Sequence, residues 1–239
     1  MLTYREFSPR PELTHALDCL WSVCVGPERC ATPSHWVLPD GCYSLAVRVK
    51  GPWYIHLRKP VLTPFRAPSR SNEEIVGVRF RPGVAPGAAM RSIHRRLRPG
   101  GTGTEVLATL QDILRVEAPA PEQRIDRMIA LVRAADGRIP LPAMAEAVQL
   151  SPRHLERLSL RTLGLTPKEF ARVTRLQAVV RRLIERPLAP LADCAAEFGF
   201  TDQTHMTREF SILGQLTPAA YLRMIRDVGF VLENPLKPV

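Results

Sequence analysis

The second half of this 239-residue chain contains an imperfect copy of itself. Leu141–Phe170 (LPAMAEAVQLSPRHLERLSLRTLGLTPKEF) returns as Pro190–Tyr221 (PLADCAAEFGFTDQTHMTREFSILGQLTPAAY). Ala145 matches Ala195, Leu150 matches Phe200 and Ser151 matches Thr201, each at an offset of 50. After one inserted residue the offset is 51: Leu155 meets Met206, Arg157 meets Arg208, and Thr166-Pro167 meets Thr217-Pro218. Such self-similarity calls for one supersecondary unit built twice. Each copy reads as a short helix with alanines on one side, a brief turn, and a second helix opened by a hydroxyl. Ser151 followed by Pro152 is a strong start signal, an N-cap ahead of a first-turn proline, and Thr201-Asp202 serves the same purpose in the second copy.

A first helix faced with small residues lets the second cross it closely and project from the body. The second helix then needs an apolar inner face and a polar outer one. Leu155 and Leu158 turn inward in the first copy, leaving Arg153, His154, Glu156 and Arg157 toward solvent; Met206 and Phe210 turn inward in the second, leaving Gln203, Thr204, Thr207 and Arg208. Arg suits guanine and Gln suits adenine in the DNA major groove. One hairpin with a solvated face would be unremarkable, but two with matching caps, inward apolar residues and outward arginines point to double-stranded DNA. Ser151, His154, Thr201 and His205 stand at the helix starts as candidate phosphate contacts. Between the copies, 167–186 reads as one long helix with Phe170, Val173, Leu176, Val179, Val180 and Leu183 as its apolar stripe. Nineteen residues at helical rise span about 28 Å, near the ~34 Å of one DNA turn, so such a rod would set two probes into successive major grooves.

Over 141–223 the sequence closely resembles the DNA-binding domain of the AraC/XylS family of bacterial transcription regulators. AAEFGFTDQTHMTREF followed by TPAAY is similar to that family's second motif, and SPRHLERL with GLTPKEF to the first. The resemblance implies base-reading roles for Arg153, Glu156, Arg157, Gln203, Thr204, Thr207 and Arg208, with RNA polymerase as a further partner. Two departures stand out. Ser159 holds a place that the family usually gives to a core aromatic, which predicts a looser first motif. Gly214-Gln215 reverses the usual order of a large residue then glycine, which predicts a different turn after the second outward helix.

The first half has another texture. It holds Trp21, Trp36 and Trp53, and the β-forming stretches 45–49, 53–57 and 75–80 are divided by turn signals at 39–41, 51–52, 69–72 and 81–83. This predicts a small barrel or sandwich. WVLPDGCYSL and VGVRFRPGVA resemble the N-terminal domain of a subgroup of AraC-type regulators, a β-rich, cupin-like fold, which implies a small-molecule effector or dimerisation. Trp21, Trp36, Tyr43 and Trp53 are candidates to line an effector pocket, although filling a small core is the first use of such aromatics. A helical turn follows at 86–96, a flexible break at 99–103, and amphipathic helices at 105–116 and 121–133, the latter suited to a homodimer interface or to packing on the first half. The chain is thus α+β with two domains: a β-rich effector-binding domain over 1–99, a helical connector or dimerisation segment over 100–138, a double helix-turn-helix domain over 139–230, and a tail over 231–239.

A net charge of +10 supports an acidic partner without choosing one. It is spread along the chain, densest at Arg91, Arg95, Arg96 and Arg98, where a solvated helix face is the first reading and a phosphate contact the second. No stretch approaches the ~18 apolar residues of a membrane span, and no secretory leader is evident, so a cytoplasmic protein is expected. Five cysteines, an odd number, argue against a disulfide framework. Cys19, Cys24, Cys30 and Cys42 surround His35 without zinc-site spacing, and buried reduced thiols are the expectation. His35 and His56 form no metal pair, and no nucleophile-elbow, phosphate-loop or zinc-protease motif occurs, so neither cofactor, metal nor enzymatic activity is expected. Two rivals remain: a DNA-repair type methyltransferase acting through Cys194 or an N-terminal cysteine, and an interaction module that does not bind DNA.

Overall fold

The computed structural model describes residues 2–26, 34–68, 70–227 and 231–233. The first half forms strands β1 (Leu2–Phe7), β2 (Leu17–Val25), β3 (Ser34–Val37), β4 (Ser44–Lys50), β5 (Tyr54–Arg58), β6 (Phe65–Pro68) and β7 (Glu73–Phe80), and β8 (Val231–Glu233) joins from the far end of the chain. One sheet has the order β5-β4-β7-β2-β1-β8, and β3 pairs with β6 in a second. Val231–Glu233, at the start of the expected tail, runs parallel to Thr3–Arg5 at the sheet's edge.

Period-two alternation divides the large sheet into two faces. Leu45 and Val47 on β4 and Val76, Val78 and Phe80 on β7 point to one side. They pack there against α1 (Ala89–Arg96) and α2 (Gly103–Glu117). The other face, carrying Ser44, Ala46, Tyr54, His56 and Ile75, looks toward the β3–β6 pair across a cavity. In β2 a register break between Leu17 and Cys19 changes the parity. Leu17 and Leu20 therefore share the helix-covered core, and Trp21, Val23 and Val25 face the cavity. A β-bulge of this kind moves every later side chain to the opposite face. Parity also corrects the pocket assignment: Tyr43 and Trp53 sit on the Leu45 and Leu57 side of their strands and pack onto the helix-covered core, leaving Trp21 and Trp36 to line the cavity.

The two helices of the expected connector go to different cores. Thr102 and Glu105 form a capping box that starts α2, whose Val106, Leu110, Ile113 and Leu114 are buried against the sheet. α3 (Gln123–Ala134) buries Ile125, Met128, Ile129 and Val132 with the helices that follow. Those are α4 (Leu141–Ala147), α5 (Pro152–Leu163), α6 (Pro167–Glu185), α7 (Leu191–Glu197), α8 (Gln203–Gly214) and α9 (Pro218–Asp227).

The Pro39-Asp40-Gly41 turn docks the halves together. Leu38 is buried in one core with α6 and α8 residues, and Gln177 of α6 donates its side-chain amide to the Pro39 carbonyl. Gly41 has φ +71°, and a Cβ there would lie 3.0 Å from the Phe170 ring. Arg81 adds an ion pair to Asp126 of α3 at 2.8 Å. Of the cysteines, Cys19, Cys42 and Cys194 are buried as expected; Cys24 is exposed, beyond Leu20, the last β2 residue in the helix-covered core. Cys30 lies outside the described residues. Among the described residues, no cluster of three or more His, Cys, Asp or Glu side chains is arranged to hold a metal ion.

Candidate nucleic-acid interface

The repeat read from the sequence is repeated in space. Ala145 and Ala195 are both 1% exposed, and Leu155 and Met206 both 0%. The turns share a left-handed residue at the same offset, Gln149 (φ 56°) and Gly199 (φ 67°). Ser151 caps α5, its hydroxyl oxygen accepting the His154 N–H at 3.3 Å. In the second unit Asp202, rather than Thr201, is the cap, with its carboxylate accepting the His205 N–H at 2.7 Å. The Thr201 hydroxyl instead lies 3.3 Å from His205 Nδ1, and that imidazole meets the Phe200 ring edge-on.

Both departures from the family pattern have local explanations. Ser159 is fully buried, and its hydroxyl donates to the Leu165 carbonyl at 2.6 Å. It fastens α5 to the turn entering α6, so a hydrogen bond occupies the place where the second unit packs Phe210. Gln215 adopts the left-handed conformation (φ 53°) that Gly164 takes (φ 76°) at the end of α5. The expected change of turn is therefore absent. Its neighbour Gly214 is buried, and a Cβ there would lie 3.3 Å from Phe210 and 3.5 Å from Leu38. The glycine makes room for the N-terminal half, while Gln215 bears the conformational strain.

α6 is 19 residues long and opens with a capping box between Thr166 and Glu169. That is about 28 Å of helix. Arg172 pairs with Glu209 of α8 at 3.0 Å, Arg182 pairs with Glu197 of α7 at 2.7 Å, and Arg138 donates to the Glu197 carbonyl. The first two contacts fix the second unit to the rod, and the third ties it to the segment between α3 and α4.

Arg153 and Arg157 of α5 and Gln203, Thr204 and Arg208 of α8 are exposed, with Glu156 and Thr207 half-buried. Among the described residues none of these seven side chains makes a hydrogen bond or ion pair within the chain. Ser151, His154, Thr201 and His205 are exposed at the two helix starts. Arg91, Arg95, Arg96 and Arg98 are exposed too, but they lie in or just after α1, away from the repeat. Asp202, with Thr201 the expected start signal, is the cap itself and sets an anion at the N-terminal start of α8, where a phosphate would approach.

The cavity beside the sheet is about 280 Å³. Besides Trp21 and Trp36 it is lined by Tyr54, His56 and Arg58, which alternate along β5, and by Gln177, Val180 and Tyr221 from α6 and α9. The strand residues were accessible to parity reasoning; the helical ones, from the other half of the chain, were not. Burial pushes the Tyr221 hydroxyl up to about 12. Burial also raises the Cys194 thiol, and that side chain is 2% exposed beside Ala195, a setting that opposes thiolate chemistry.

Comparison with known proteins supplies independent context. Residues 144–224 match a helix-turn-helix domain family, and residues 5–95 match a domain of unknown function (DUF6597). No curated protein matches the chain. Among solved structures, an AraC-type transcriptional regulator from Chromobacterium violaceum is 21% identical, covering 43% of this chain and 92% of its own, with a TM-score of 0.39. ToxT from Vibrio cholerae is 10% identical, covering 94% of this chain and 98% of its own, with a TM-score of 0.48.

Proposed function

We propose that this chain, whose residues 144–224 are a helix-turn-helix domain, is a sequence-specific transcription regulator that reads double-stranded DNA with two recognition helices and answers to a small molecule bound in its N-terminal half. The observation that carries the reading is the duplicated unit itself: two capped helices with exposed polar faces, each crossing an alanine-faced partner, with one 19-residue helix between the two units in the chain. Arg153, Glu156 and Arg157 read one major groove, and Gln203, Thr204, Thr207 and Arg208 the next. Ser151, His154, Thr201 and His205 contact phosphates and set the register. On this reading 1–99 form the sensor, 100–138 the connector and 139–230 the DNA-binding domain. The site of action is the cytoplasm, with RNA polymerase and a second copy of the chain as further partners.

The test is the salt dependence of binding to a duplex. Neutralised phosphates release counterions, so affinity should fall by about 10³-fold or more between 50 and 200 mM salt if roughly six phosphates are contacted. A flat dependence would instead favour an interaction module that does not bind DNA. The methyltransferase alternative finds no support at Cys194, which occupies the core position matching Met144 in the first unit.

A further inference from the structure

The rod α6 is shared by two cores that meet at a seam. Phe170 and Ala171 are buried with α3, α4 and α5, whereas Leu176, Val179, Val180 and Leu183 are buried with α7 and α8. Residues 172–175 lie between them, and there the Thr174 hydroxyl donates to the Phe170 carbonyl at 2.9 Å. A bond of this kind from a mid-helix threonine to the turn before it weakens and bends a helix. Leu62 of the first half packs against both cores.

Two arginines span the seam by way of the turn between α3 and α4, which leads into the first unit. Asp136 (φ 47°) and Gly137 (φ 73°) are left-handed there, and a Cβ on Gly137 would fall 2.1 Å from the Ala171 carbonyl oxygen. Glycine allows that approach to the rod. Arg175 of the rod donates from Nη2 to the Gly137 carbonyl at 3.1 Å, and its guanidinium carbon stands 5.3 Å from the centroid of the Phe200 ring, between α7 and α8. Arg138 donates from Nε to the Ala135 carbonyl and from Nη1 to the Glu197 carbonyl, each at 3.1 Å. The second bond reaches the C-terminal end of α7, where a cation is well placed. A Cβ on Gly199 would lie 3.3 Å from the Arg138 side chain, which therefore rests against the turn of the second unit. The matching residues of the second copy are Pro187 and Leu188, so the sequence carries this strap once. Arg175 sits where its charge is disfavoured: burial lowers its pKa, and its Nε is shielded without a hydrogen-bond partner among the described residues. A polar group kept in such a place can specify one arrangement of the chain rather than add stability.

We propose that Arg138 and Arg175 are positioning residues that clamp the seam of α6, hold α8 at one offset from α5, and so make the chain select the separation of its two DNA elements. The inference rests on the DNA-reading function above and adds to it a determinant of spacing that acts without touching a base. Adding or removing one base pair shifts one element by about 3.4 Å and turns it by about 35° relative to the other. A clamped joint cannot follow that change without losing contacts, and a free joint follows it by bending at 172–175.

The probes are duplexes that carry both selected elements at the selected spacing, or with one base pair added or removed between them, titrated with the full chain. The native chain should lose at least about tenfold in affinity at either altered spacing. Arg138→Ala and Arg175→Met should each reduce that penalty to about threefold or less, with single-base preferences inside both elements and the near-ultraviolet circular dichroism unchanged. A native chain indifferent to spacing, or variants that keep its penalty, overturn the proposal. So do variants that weaken every spacing alike or lose base preference, since a purely structural role would act in that way. Spin labels in place of the exposed Leu160 of α5 and Ile212 of α8 read the joint without DNA. Their distance distribution should be narrow in the otherwise native chain and broader with Arg138→Ala; equal widths overturn the clamp. A chain that shows this broadening but binds no duplex upholds the clamp and overturns the DNA-reading function.

Discussion

Arg208 and Arg157 stand at matching points of the repeat, one turn into each outward helix, where a guanidinium can reach the paired acceptors of a guanine. Arg208→Ala should cost about 1–3 kcal/mol of affinity for a selected duplex and relax preference at one base pair, as read by competition with single-base variants. An unchanged profile would remove Arg208 from the base-reading set. Gln215 offers a stability test. It pays for a left-handed backbone that Gly164 adopts freely, so Gln215→Gly should stabilise the fold by about 0.5–1 kcal/mol in urea denaturation. The side-chain chemistry of α5 and α8 was legible in the sequence because helical period and cap preference are local. The role of Gly214 was not, because its reason is Leu38, more than a hundred residues away in the chain.

At the scale of elements, each outward helix is seated differently on the same plan. α8 uses Phe210, packed in a core with Met206 and Leu213, and α5 uses the buried bond from Ser159 to the Leu165 carbonyl. Ser159→Ala leaves that carbonyl without its donor in a dry site and should cost about 1–3 kcal/mol in chemical unfolding. A neutral result would mean that the hydroxyl does not tie α5 to α6. The bounds of α6, α2 and α3 followed closely from apolar spacing and caps, and β4, β5 and β7 from alternating β-formers. The orientation of β2 did not follow. Its bulge between Leu17 and Cys19 reverses the faces without any punctuating glycine or proline, and only pairing with β7 reveals it.

At the scale of the whole molecule, the halves are joined through a turn that the sequence marked only as a turn. Pro39-Asp40-Gly41 presses Leu38 into the core of the second helix-turn-helix unit and Gly41 against Phe170 of the rod. Gly41→Ala adds a methyl at a strained φ and a 3.0 Å contact, and should destabilise the chain by about 1–3 kcal/mol, visible as a lower midpoint of thermal unfolding. The shared cavity has the same origin: strands from the first half and α6 and α9 from the second meet there, and no local pattern encodes a long-range meeting. The central claim remains the paired probes on one rod, and selection of bound duplexes from a random pool tests it most directly. The selected sites should contain two conserved elements about 10 base pairs apart centre to centre, with Arg157→Ala erasing preference within one and Arg208→Ala within the other. A pool that yields no enriched sequence, or a single element altered alike by both substitutions, would contradict it.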